Sequence, residues 1–371
     1  MAITYKSGRR IQATSTDFAG IPAVVGGWKE IGRTTLGSNS VDFDVTGLAD
    51  KRYYMYLIDA KFNDTNSRDL RMQTGNGSWD DSGDASGNYN ERGSSNGGSS
   101  ATGRWDFVTP CNSTGNATPS FGVGYCANKS DKEKLFQNWF VSQRALGAGS
   151  TGVPDRKEHV WKWANTSNPL DRLKVTRQNN SDTTYLFSTG SQIVVLGWDE
   201  SDTHTSNFWE ELASVTNSGG STNNFGTGSF TAKKYLWVQA FVKNDGACSP
   251  RFRVGTGGTI DTGTNIASRS SSDGGADGTA LSRDDMVISI SSTSENHFIN
   301  MFMVNNASNE KLAIHNCITV GTAGAGTAPQ RREGVSKYSN TSAQVNIIEL
   351  EDADASAGLG DGTIIKVWGS N

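Results

Sequence analysis

The chain has 371 residues, 35% of them hydrophobic before its 43 glycines are counted, with a formal net charge of −4 and a pI of 5.7. That length exceeds what a single core usually fills, so two domains of about 170–180 residues are expected. The acidic balance gives no electrostatic reason to bind nucleic acid or an anionic membrane. Only 7 prolines, 10 tryptophans and abundant Gly, Ser, Thr and Asn read as short strands joined by polar loops rather than as helices.

Residues 1–26 carry no apolar run of the secretory kind, and no stretch approaches the ~20 apolar residues that span a bilayer. They read as an extended arm. It is either a disordered terminus or a segment ordered against a neighbouring subunit, and in the second case Tyr5, Arg9, Arg10 and Ile11 are the subunit contacts.

The first domain, 27–200, opens on Trp28-Lys29-Glu30-Ile31, and the second, 208–371, on Trp209-Glu210-Glu211-Leu212. Next comes a hairpin written twice. Tyr53 to Arg71 and Tyr235 to Arg253 share a preceding basic pair, an aromatic strand, Asn-Asp and a second strand ending in arginine. The period-two runs Tyr54, Tyr56, Ile58, Ala60 and Tyr235, Trp237, Gln239, Phe241 indicate strands with unlike faces. Gly75 to Gly103 and Thr256 to Thr279 are too polar to form a core and read as long surface loops. A third shared block matches Phe136–Val141 with Phe298–Met303, and a fourth matches Asn165-Thr166-Ser167 with Asn340-Thr341-Ser342. Each half closes on a Gly-led apolar strand, GSQIVVLGW or GTIIKVWGS. The repeat is far too long for a solenoid. The fold expected is all-β: two tandem, duplicated jelly-roll-like β-sandwich domains behind an extended N-terminal arm.

No HExxH, GxSxG or phosphate-loop motif occurs, and the four histidines fall in unrelated contexts, so no enzyme is expected. Carboxylate pairs for glycoside hydrolysis would have to come from Asp80, Asp81, Glu210, Glu211, Asp284 or Asp285, which also read as turn and strand-end residues. No cofactor is implied, although the loop Asp80 to Asp84 offers oxygen ligands for Ca²⁺. Cys111, Cys126, Cys248 and Cys317 lack metal spacing; they read as buried free thiols, with Cys111–Cys126 as the one local disulfide to consider. Tryptophans 28, 198, 209 and 237 read as core. A receptor or glycan contact is placed at Trp79, Asp80, Asp81, Asn88 and Tyr89, where an aromatic ring adjoins the longest polar loop.

The opening MAITYKSGRRIQATSTDF resembles the arm of virion structural proteins from marine tailed viruses of bacteria and archaea. LRMQTGNG with GNYNER (Gly87 to Arg92), together with the two closing strands, is similar to β-sandwich domains of tail-fibre and virion-surface proteins. The second half has no NYNER counterpart. The resemblance implies a homo-oligomer on a particle, as capsid, decoration or tail component, whose partners are itself and other virion proteins. Alternatives are a lectin-like module binding a host surface glycan, or a polysaccharide depolymerase.

Overall fold

A computed structural model describes residues 27–64, 69–80, 89–96, 98–104, 108–112, 118–177, 186–202, 204, 206–289, 295–320 and 324–371. Tyr5, Arg9, Arg10, Ile11, Asp81 and Asn88 lie outside the described residues.

The first half contributes β1 (Lys29–Thr35), β2 (Asp42–Thr46), β3 (Tyr53–Lys61), β4 (Asp69–Asn76), β5 (Ser78–Trp79), β6 (Tyr89–Ser95), β7 (Gly98–Arg104), β8 (Val108–Asn112), β9 (Pro119–Ala127), β10 (Lys134–Ser142), β11 (Asp155–Trp163), β12 (Arg172–Arg177) and β13 (Gln192–Trp198). The second contributes β14 (Glu210–Thr216), β15 (Asn224–Gly226), β16 (Tyr235–Val242), β17 (Pro250–Thr256), β18 (Thr259–Ile260), β19 (Ile266–Ser272), β20 (Gly278–Arg283), β21 (His297–Val304), β22 (Lys311–Thr319), β23 (Gln330–Tyr338), β24 (Ile347–Asp352) and β25 (Ile364–Ser370). An eight-stranded sheet, β1-β13-β3-β9-β10-β11-β6-β7, faces the smaller β2-β12-β4-β5, with β8 on β4. The second half repeats it: β14-β25-β16-β21-β22-β23-β19-β20 over β15-β24-β17-β18. The class is therefore all-β, two duplicated jelly-roll-like sandwiches in tandem. Even the irregularities recur, since β1 bulges between Glu30 and Gly32 and β14 between Glu211 and Ala213. Among the described residues β8 alone has no counterpart strand in the second half; a single bridge from Met286 to Phe252 stands in its place.

Side chains explain why the copies fold alike. Lys134 at the head of β10 is fully buried and donates to the carbonyls of Lys132 and Asn165 at 2.9 Å each; Lys311 at the head of β22 does the same to Asn309 (3.1 Å) and Asn340 (2.7 Å). Asn165 and Asn340 cap the turns they open by accepting the amide hydrogens of Ser167 and Ser342. The shared Asn-Thr-Ser block is thus a lysine cage and an Asx turn.

Two sequence expectations are corrected by register. Phe298–Met303 lies in β21, which pairs with β16 as β9 pairs with β3, so the counterpart of the Phe136 block is β22. In β16 the residues facing the sandwich core are Leu236, Val238, Ala240 and Val242, not the aromatic set; a slip of one residue exchanges faces. In β3, Tyr54, Tyr56, Ile58 and Ala60 do point inward. Their alternates Met55 and Leu57 are equally buried, because a third apolar cluster lies between the two large sheets. Cys126, Cys248 and Cys317 are free and buried, which excludes a Cys111–Cys126 bridge.

Candidate functional site

The outer face of each large sheet can be followed as four cross-strand rows. In the first half they run Trp198-Tyr53-Ala127-Leu135-Lys162, Leu196-Met55-Tyr125-Gln137-Val160, Val194-Leu57-Val123-Trp139-Glu158 and Gln192-Asp59-Phe121-Val141-Arg156. In the second half they run Ser370-Tyr235-Val304-Leu312-Lys337, Trp368-Trp237-Phe302-Ile314-Val335, Lys366-Gln239-Asn300-Asn316-Glu333 and Ile364-Phe241-Phe298-Ile318-Arg331.

The lower rows of the first half pack on the upper rows of the second. Tyr235 stacks on Phe121 at 6.3 Å and donates to Gln192 Oε1 at 2.8 Å; Leu312, Ile314 and Val335 close over the seam. Charged groups clasp its margin: Arg156 meets Asp277 at 2.7 Å, Lys234 meets Asp59 at 3.0 Å, and Glu310 accepts the Gly147 amide hydrogen at 2.6 Å. Lys337, beside Glu310 at 3.0 Å, also donates to the Ala145 carbonyl. Burial pushes the Lys337 ammonium pKa down, against the pull of Glu310.

The upper rows of the first half stay open and form an aromatic groove of about 730 Å³. Tyr53 (39% exposed), Leu135 (58%) and Val160 (47%) face solvent. Tyr53 stacks on Trp198 at 5.4 Å, and Trp28, just before β1, tilts against Tyr125 at 6.0 Å. Asn90, Arg92, Gln137 and Lys162 give the groove polar edges. Trp28 and Trp198, expected in the core, line this surface instead; Trp209 and Trp237 belong to the seam. Burial raises the Tyr125 hydroxyl to about 12, so the groove carries a neutral phenol at any ordinary pH.

Three of the five receptor residues expected from sequence, Trp79, Asp80 and Tyr89, lie among the described residues. Tyr89 is 1% exposed, its hydroxyl bonded to the backbone of Thr74, so it belongs to the sandwich core. Asp80 Oδ2 accepts the indole hydrogen of buried Trp163 at 2.6 Å, and residues 81–84 of the loop offered for Ca²⁺ lie outside the described residues. The Trp79 ring is covered by Lys174, 4.3 Å from its centre, and by Arg172 at 5.4 Å. Among the described residues no group of three or more metal-ligating side chains gathers.

Four other carboxylates named for glycoside hydrolysis, Glu210, Glu211, Asp284 and Asp285, form ion pairs. Asp284 binds Arg253 at 2.7 Å, Asp285 binds Arg251 at 3.4 Å and Arg283 at 2.5 Å, and Glu210 and Glu211 pair with Lys233 and Lys366. A buried network in the first sandwich joins Glu91, His159, Asn138 and Tyr56, with His159 Nε2 2.9 Å from Glu91, which also lines the floor of the groove. Sequence reasoning missed the groove because its residues come from six strands, β3, β6, β9, β10, β11 and β13, and from Trp28 ahead of β1. The signal that could have found it is that Leu135 and Val160 each adjoin an aromatic residue, Phe136 and Trp161, that faces the core, which puts them on the opposite face of the sheet.

No protein-family model matches the chain, and no curated protein matches it. Among solved structures it aligns with the mouse laminin alpha1 chain, domains LG4-5, at 10% identity over 92% of this chain and 91% of that chain, with a TM-score of 0.16. At that score the fold assignment rests on strand order alone. No helix among the described residues is long and apolar enough to cross a membrane.

Proposed function

We propose that this chain is a non-enzymatic structural protein of a virion surface, built to assemble with copies of itself and with other virion proteins as a capsid, decoration or tail component. The observation that supports this reading is the apolar outer face left open on each half, Tyr53, Leu135 and Val160 on one and Phe241, Phe298 and Ile318 on the other, each 39–58% exposed. Contiguous apolar surface of this kind marks a place where another macromolecule sits. Size-exclusion chromatography with light scattering tests it: an oligomer is expected, and a monomer at every concentration refutes it.

A second reading is a lectin-like module for a host surface glycan, favoured by the Tyr53–Trp198 stack with Trp28 beside it and by the amides of Asn90 and Gln137 on the rim. It moves the site from Trp79 to the groove. Binding on a glycan array that Trp198→Ala abolishes, and that Trp79→Ala leaves intact, supports this reading; an empty array removes it.

A further inference from the structure

The seam between the halves joins unlike faces. Strand register makes Tyr235, Leu312 and Val335 of the second half the counterparts of Tyr53, Leu135 and Val160 of the first. The first set is at most 2% exposed, buried against the first half; the second set is the open groove. The converse also holds. Phe121 and Val141, at most 1% exposed in the seam, have Phe298 (44%) and Ile318 (50%) as counterparts in open solvent. Each half therefore presents one docking face that is used and one that is free, and the free pair matches the used pair by residue type: Tyr for Tyr, Leu for Leu, Val for Val, Phe for Phe.

The ion pair at the margin is duplicated as well. Lys337 and Glu310 are sealed in the seam at 0% and 1% side-chain exposure, while Lys162 and Glu133, 2.8 Å apart in the same place on the first half, stand in solvent at 43% and 38%.

We propose that the Tyr53–Leu135–Val160 face of one chain docks on the Phe241–Phe298–Ile318 face of a second copy, remaking between chains the contact that joins the halves within one. This rests on the reading of the protein as a self-assembling structural unit and names the surfaces and their polarity. The contact is heterologous, so its repetition closes a ring or extends a filament. It differs from the internal seam in two ways. The row beside Phe298 carries Gln239, Asn300 and Asn316 where the first half has Leu57, Val123 and Trp139, and the Asp59–Lys234 pair has Phe241 and Arg52 as counterparts. A half-polar version of the seam gives subunits that associate reversibly.

Light scattering across a concentration series, on wild type, Leu135→Arg and Ile318→Arg, tests the contact. Both sites are at least half exposed, so the folded chain accepts arginine there; Val160→Arg and Phe298→Arg serve as second variants on the same faces. Each single variant is expected to weaken self-association about thirtyfold or more, the size of a hot-spot substitution. An equimolar mixture of Leu135→Arg and Ile318→Arg should form a one-to-one dimer and nothing larger, since it holds one intact face of each kind. A wild-type oligomer that both variants leave unchanged, or a mixture that stays monomeric, overturns the head-to-tail contact and leaves the structural role standing. A wild-type monomer at every concentration overturns both.

Discussion

The same lysine–glutamate pair occurs twice in this molecule, once sealed and once in water, and that duplication makes a quantitative test. Replacing Lys337 with methionine strands the Glu310 carboxylate, 1% exposed, with the Gly147 amide as its remaining donor, and frees the Gln143 and Ala145 carbonyls that the ammonium had gathered. Breaking one side of a buried pair costs about 3–5 kcal/mol. Lys162→Met removes the equivalent partner of Glu133 in solvent, where such pairs contribute at most about 1 kcal/mol. Urea unfolding followed by tryptophan fluorescence, on both variants and wild type, reads the two costs under one set of conditions. The double variant Lys337→Met with Glu310→Leu should recover much of the loss, because no charge is then left buried. Equal destabilisation by the two single variants would refute the reasoning, since burial would then have no bearing on what the pair contributes.

His315 is fully buried, and burial, helped by the nearby Arg332 and Arg156, lowers its pKa to about 3. Below the unfolded value near 6.5 the unfolded chain takes up a proton that the folded chain refuses, so stability falls with falling pH, by about 2 kcal/mol at pH 5 from this residue. His315→Asn, which installs the residue found at the matching Asn138, should lose that much less between pH 7 and pH 5; parallel losses would show that His315 titrates normally. Gly124 lies under the Tyr56 ring, where an added Cβ would sit 2.2 Å from ring carbon. Gly124→Ala should therefore cost about 3 kcal/mol in thermal or urea unfolding and tilt Tyr56 off Asn138, and a neutral effect would mean the strand can yield. The thiol of Cys317 is pushed up to about 12 by burial, and burial also raises that of Cys126 well above the ordinary thiol value. Alkylation mapped by mass spectrometry should leave Cys126, Cys248 and Cys317 unmodified until denaturant is added, and labelling in the native state would count against their burial.

The tandem duplication was legible because strand order, turn chemistry and closing strands are local properties: the Asn165 and Asn340 turns, the paired Trp28 and Trp209 starts, and the Gly-led last strands are short stretches whose neighbours in sequence are their neighbours in space. Register was less legible. Tyr54 and Tyr56 point to the sandwich core while Tyr235 and Trp237 point away, and a period of two cannot say which face is inward when both are apolar.

Chemistry was misjudged where a residue type alone was used. Tyr89 and Asp80 sit beside a polar loop in sequence, yet their hydrogen bonds to Thr74 and Trp163 tie them to the core. By itself, then, the sequence determined an all-β chain made of one unit written twice. Only tertiary structure decided that the units meet through unlike faces, leaving an aromatic groove at one end and the Phe298 row at the other. The reason is that a sheet face is assembled from alternate residues of many strands, so which side is covered depends on pairing and docking across the chain rather than on any one stretch of it.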